Sequence, residues 1–196
     1  MILPIVAYGN QVLKQVAKPI DADYPKLNEF IENLWETMYN GRGVGLAAPQ
    51  VGVGISVFIV DSLQLVKENE EMEEGEEKYK LKYGIKKVFI NPIMVEETGD
   101  EWIYEEGCLS IPDVRVKIER KEIVQIKYMD ENFIEHLDMF DGMNARIIQH
   151  EYDHLQGILL TDHMSSLKKS LVKGKLENIS RGRIETKYKM KFALTR

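Results

Sequence analysis

A chain of 196 residues with 44% hydrophobic and 30% charged residues has the balance of a folded globular protein, which excludes fibrous and disordered classes. It is long enough to bury one well-formed core, so one domain spanning 1–196 is expected. The net charge of −6 is unevenly spread: from Lys168 to Arg196 ten Lys or Arg oppose only Glu177 and Glu185, a local +8 on a body carrying −14.

The opening "MILPIVAYGN" has no basic leader and no cleavage pattern, so no signal peptide is expected. The longest apolar stretch, "VGVGISVFIV", is about half of what a membrane span needs, which argues against a membrane partner. Cys108 stands alone, so no internal disulfide forms, and a reducing, cytoplasmic setting follows.

In "PKLNEFIENLWETMYNG", Leu27, Phe30, Ile31, Leu34, Trp35 and Met38 recur at helical spacing, with Pro25 suited to a first turn and Asn40-Gly41 to a stop. "GRGVGLAAPQVGVG" is too glycine-rich for a helix and reads as a shaped loop leading into the strand "ISVFIVD". Glutamates crowd the next stretch, about 66–87, and their mutual repulsion predicts an exposed, mobile insertion. "VFINPIMV", "EWIYEEGCLSIP", "VRVKIE" and "IVQIKYMDENFIEHLDM" then alternate as antiparallel strands, the last folding into a hairpin at Asp-Glu-Asn. A helix from about Asp141 to Gln156 is closed by Gly157. Another starts at Ser165 or Ser166, Gly182 interrupts it, and "IETKYKMKF" alternates like a strand. The class is α+β, with antiparallel β-sheets around a central metal-binding helix.

That central helix carries "HEYDH". His150 and His154 are four residues apart, so both imidazoles leave one helix face and can share an ion. Glu151 sits at the edge of that face, placed to take a proton from a water activated by the ion. Ile147, Ile148 and Leu155 make the helix apolar where it is to be buried, which favours a site over a chance pattern. Two imidazoles hold a metal poorly, and the place of a third histidine in one large protease class is taken by Leu160. Candidates for the third ligand are Cys108, His136, His163 and Glu177. Of these, Cys108 follows a strand in "EEGCLSIP", where small residues permit tight geometry, and its thiolate would leave a fourth tetrahedral position for water.

"GVGLAAPQ" (43–50), "EGCLS" (106–110) and "QHEYDH" (149–154) together resemble the three signature segments of the peptide deformylases, in the same order. The resemblance extends to "MILPIVAYGNQVL" and departs in the acidic insertion and the tail. It implies removal of the formyl group from N-formylmethionyl nascent peptides of bacteria or organelles, releasing formate. It implies Cys108, His150 and His154 as ligands of one divalent ion, natively Fe(II), with Zn(II) or Ni(II) able to replace it, and Glu151 as acid and base. By the same resemblance, Gln50 and the backbone N–H of Leu109 stabilise the oxyanion, and Val44, Leu46 and Glu106 with Leu109 shape the methionine pocket. Arg146 stands where some relatives have an apolar pocket wall. Gly43 and Gly45 would let the loop approach an extended peptide.

Two other functions compete. A metallopeptidase needs a site open to internal peptide bonds. A non-catalytic metal- or RNA-binding module, or a contact with the ribosome, would use the basic C-terminal region. No aromatic or glycine-rich nucleic-acid motif accompanies that charge, which favours a solvated helix face and edge strand there.

Overall fold

The computed structural model describes residues 1–71 and 80–193. Its elements in order are β1 (Ile5–Val6), α1 (Leu27–Asn40), β2 (Gly45–Ala47), β3 (Val57–Asp61), α2 (Leu63–Glu71), β4 (Lys86–Cys108), β5 (Ile111–Met129), β6 (Glu135–Asp141), α3 (Gly142–Leu155), α4 (Ser166–Ser180) and β7 (Met190–Lys191). The strands β2-β3-β4-β5-β6 form one antiparallel sheet in that spatial order, and β1 pairs with β7 in a separate parallel pair.

The expected α1 forms because Leu27, Ile31, Leu34 and Met38 fall on one face and are buried together. Its ends differ in detail from the sequence reading. Pro25 lies just before the cap, Lys26 takes the left-handed conformation at φ 57°, and the reversal after the helix is made by Arg42 at φ 58° rather than by Gly41. The glycine-rich segment is not wholly loop. Gly45–Ala47 pairs with β3, and Ala48–Val51 makes a short 3-10 turn, because small residues let the backbone lie against the sheet.

β3 is buried along its whole length, and period-2 geometry explains its apolar run. Phe58 and Val60 point toward α3, with Phe89, Val124, Ile126, Met143 and Ile148. Val57 and Ile59 point the other way, into the cluster that includes the buried face of α1. A third cluster joins the inward residues Val114, Val116 and Ile118 of β5 to Leu176 and Ile179 of α4.

Two strands run longer than the sequence implies, β4 and β5, the latter joining "VRVKIE" to "IVQIKYM" without a break. "VFINPIMV" and "EWIYEEGC" are one strand, since Gly99, at φ 79°, is absorbed at a register shift between Thr98 and Glu101 instead of ending the strand. The segment read as "EWIYEEGCLSIP" instead turns at Leu109-Ser110, placing Cys108 opposite Ile111. The β5–β6 hairpin turns at Asp130, whose Oδ1 accepts from the N–H groups of Asn132 and Ile134 at 2.8 and 3.0 Å.

Helix α3 is the buried centre of the molecule, and Gly157 follows it at φ 71°, as its C-terminal glycine requires. Ser165 caps α4 by accepting from the Lys168 N–H. The strand expected in the tail shrinks to Met190–Lys191. The acidic insertion begins as helix α2, whose Leu65 is buried, and its far end is not wholly exposed either, since Ile85 is buried and Lys86 and Lys87 already belong to β4; residues 72–79, the middle of the stretch expected to be mobile, lie outside the described residues. Among the described residues, no helix is long and apolar enough to cross a membrane.

Candidate active site

Cys108 is the last residue of β4, and the β4–β5 turn directs it onto α3. There it meets His150 and His154, which leave the same helix face one turn apart. Their candidate ligand atoms all lie within 4.8 Å of one another, and Cys108 Sγ is 3.3 Å from His154 Nε2. Bond lengths of about 2.3 Å to sulfur and about 2.0 Å to nitrogen put two tetrahedral ligands about 3.6 Å apart, so the spacing suits a shared ion. The other candidate ligands are engaged elsewhere: His136 with Asp130, His163 with Asp153 and Glu177 with Arg181.

Glu106 organises the next layer. Its Oε2 is 2.9 Å from His150 Nδ1, which leaves the opposite ring nitrogen for an ion. Arg120 donates to both carboxylate oxygens of Glu106, at 2.8 and 3.1 Å, and pairs through its other nitrogen with Asp153 at 2.9 Å. Arg146 adds a bond at 2.5 Å to Glu106 Oε1, donates to the Ile118 and Trp102 carbonyls, and stacks over the Trp102 ring. Burial disfavours the Glu106 anion, yet the bonds from His150 and Arg120 outweigh it and hold the carboxyl well below its usual range. Burial likewise disfavours a charged His150, but Cys108 and Glu106 beside it prevail and raise its pKa, so the surroundings draw positive charge to that ring. His154, buried and next to His150, is pushed down and kept neutral, the form in which imidazole binds metals.

Glu151 is buried beside this trio, and its carboxyl is pushed up to about 7, chiefly by burial. Among the described residues, Oε2 of Glu151 has no hydrogen-bond partner, which leaves a buried carboxylate oxygen open to a partner that is not protein. The carboxylate fits because residue 45 is glycine. A Cβ there would stand 2.5 Å from Glu151 Oε1. Gln50 is also buried; its Oε1 accepts the Ala47 N–H at 2.7 Å, which turns Nε2 toward the site, 3.5 Å from the Cys108 sulfur. The amide is thereby fixed as a donor.

A cleft of about 840 Å³ opens over these groups. Gly43, Val44, Gly45, Gln50, Glu106, Cys108, Leu109, His150 and Glu151 all line it, together with Arg146. Leu46 does not, because its side chain is packed in the core behind β2. The sequence reading missed Arg120 and Asp153, and also Leu65 and Glu68 of α2 and the tail residues up to Tyr188 as cleft walls. One signal for Arg120 was available. Val114, Val116, Ile118 and Arg120 share one parity, so a guanidinium occupies an inward position of an alternating strand, where it requires a buried anion.

Comparison with known proteins identifies the family. A sequence model described as polypeptide deformylase matches residues 2–170. A peptide deformylase of Christiangramia forsetii is 55% identical over 192 residues, covering 98% of this chain and 96% of the relative. Another from Flavobacterium johnsoniae is 52% identical over 193 residues, covering 98% and 97%. The crystal structure of a peptide deformylase from Legionella pneumophila superposes with a TM-score of 0.78 at 31% identity, covering 95% of this chain and 99% of that one. With the match running nearly end to end, the chain belongs to the polypeptide deformylase family.

Proposed function

We propose that Cys108, His150 and His154 hold the single metal ion used by this family, and that Glu151, Gln50 and the Leu109 N–H carry out the removal of the N-terminal formyl group from nascent polypeptides. The observation carrying this reading is the trio within 4.8 Å beside a buried carboxylate with an unpartnered oxygen. The donor set fits an ion: one thiolate, one imidazole oriented by Glu106, and one kept neutral by burial. When bound, the ion supplies a Lewis acid and acidifies water. Fe(II) is its proposed native identity, Zn(II) and Ni(II) being able to serve with the same ligands. Anaerobic purification followed by metal analysis tests it, and zinc alone at full occupancy with full activity would overturn the iron assignment.

Glu151 accepts a proton from the water that attacks the formyl carbon. The C–N bond then breaks, Glu151 returns the proton to the amine nitrogen, and formate leaves. As the carbonyl oxygen gains charge, Gln50 Nε2–H and the Leu109 N–H donate to it. Gly43, Val44, Gly45, Leu46, Glu106 and Leu109 are proposed to bind the formylmethionyl end. For Leu46 the contribution is its backbone in β2, and for Glu106 it is the network behind the pocket. The chain works as one catalytic domain over 1–196 in the cytoplasm. Incubation with formyl-Met-Ala-Ser should release formate without cleaving the peptide backbone, and cleavage of an unformylated peptide at comparable rate would favour a peptidase instead.

Two variants probe the surroundings. Gly45→Ala places a methyl group where Glu151 now lies. It is expected to lower kcat at least about tenfold, through loss of proton-transfer geometry, while metal content stays at the wild-type level. Arg120→Gln removes the charge that holds Glu106 to His150, so metal affinity measured by chelator competition should fall roughly 10- to 100-fold.

The ribosome is the proposed partner of the basic C-terminal region, where Lys168, Lys169 and Lys173 of α4 are exposed. Co-sedimentation with ribosomes should weaken steeply with added salt and be lost when these lysines become glutamates. Salt-independent binding, or binding that survives the three changes, would exclude this surface.

A further inference from the structure

The turn that carries Cys108 and Leu109 is held from outside by both ends of the chain. The Tyr188 hydroxyl donates to the Leu109 carbonyl at 2.8 Å, and the Tyr8 N–H donates to the Ser110 carbonyl at 2.9 Å. Those two carbonyls belong to successive residues of the two-residue β4–β5 turn, so little of the turn is free to rotate. The two anchors are themselves tied together. β1 and β7 pair in parallel, with Ile5 N–H donating to Lys189 O and Ala7 N–H to Lys191 O, each at 2.9 Å. Tyr188 thus lies between the body of the molecule, where its ring packs on the cluster around α1, and the β7 strand two residues on. It also lines the active-site cleft beside Thr186.

Leu109 and Ser110 both keep φ outside the left-handed region that tight two-residue hairpins use, and a register shift falls between Gly107 and Cys108. A donor aimed at a developing oxyanion is effective only while its direction is fixed, because reorientation during reaction forfeits its stabilisation.

We infer that Tyr188 is a positioning residue for the reaction, its hydroxyl clamping the Leu109 carbonyl so that the Leu109 N–H and the Cys108 sulfur keep their directions in the site. The inference rests on the roles proposed above for Cys108 and Leu109. It makes the C-terminal tail a working part of the cleft in addition to any role in ribosome contact.

The test is Tyr188→Phe, which keeps the ring in its apolar cluster and deletes only the hydroxyl. The full chain is loaded with Co(II), and electronic absorption is recorded beside kcat and KM for formyl-Met-Ala-Ser. The wild type should show a thiolate-to-cobalt absorption band. In the variant that band should shift, kcat should fall about 2- to 10-fold, as loss of one hydrogen bond implies, and KM and thermal midpoint should stay at wild-type values. An unchanged band with unchanged kcat overturns the inference, as does a fall in kcat that merely tracks a lowered thermal midpoint. Absence of any thiolate band in the wild type is a different failure, because it removes Cys108 from the metal site itself.

Discussion

Glu151→Gln retains its metal ion at wild-type stoichiometry and hydrolyses formyl-Met-Ala-Ser roughly 10²- to 10⁴-fold more slowly, the usual contribution of a positioned acid–base group. The substitution conserves size, so the space provided by Gly45 remains filled and α3 keeps its packing. What disappears is the ability to accept a proton. In the wild type Oε2 has no hydrogen-bond partner among the described residues, and burial pushes the carboxyl up to about 7, which suits the proposed proton carrier. An amide in the same place can donate and accept hydrogen bonds but cannot shuttle a proton. Metal analysis and formate release on the same preparation separate the two effects. Full turnover with bound metal would remove Glu151 from the reaction.

Cys108→Ser is the second large effect, and it acts one step earlier. A thiolate is replaced by a hydroxyl that is neutral at pH 7, so the site loses a negative charge as well as a soft ligand. His150 and His154 remain in place on α3, yet two imidazoles alone hold a divalent ion weakly. The expected loss of affinity exceeds the roughly 10- to 100-fold that follows removal of an outer partner such as Arg120. Metal content after anaerobic dialysis should fall with turnover in parallel. Unchanged metal content and turnover would take the sulfur out of the site.

How far the sequence foretold this site depended on whether the determining contacts were local. α3 was legible because its apolar spacing and terminal Gly157 are read within a few turns, and "HEYDH" inherits its geometry from that helix. The hairpin at Asp130 was legible for a similar reason, since the turn residue caps its own backbone. The Glu106–Arg120–Asp153 chain was not, because it depends on the β4–β5 register and on α3 meeting that sheet, facts that reside in long-range pairing. Leu46 shows the converse. Its place in a signature segment suggested the pocket, but strand alternation turns its side chain to the core. Gly45 was read as room for substrate, whereas its closest constraint is Glu151, a contact across 106 residues of chain.

The parallel pairing of the chain's two ends has a mechanical consequence. Residues 1–4 lead away from one end of the β1–β7 pair and residues 192–193 from the other, so tension along these two segments would slide the strands past each other instead of peeling them apart. The Ile5–Lys189 and Ala7–Lys191 bonds would then bear load together. An unfolding motor pulling on the tail meets that shear joint before it reaches the sheet, and in breaking it would release Tyr188 from the turn at the outset.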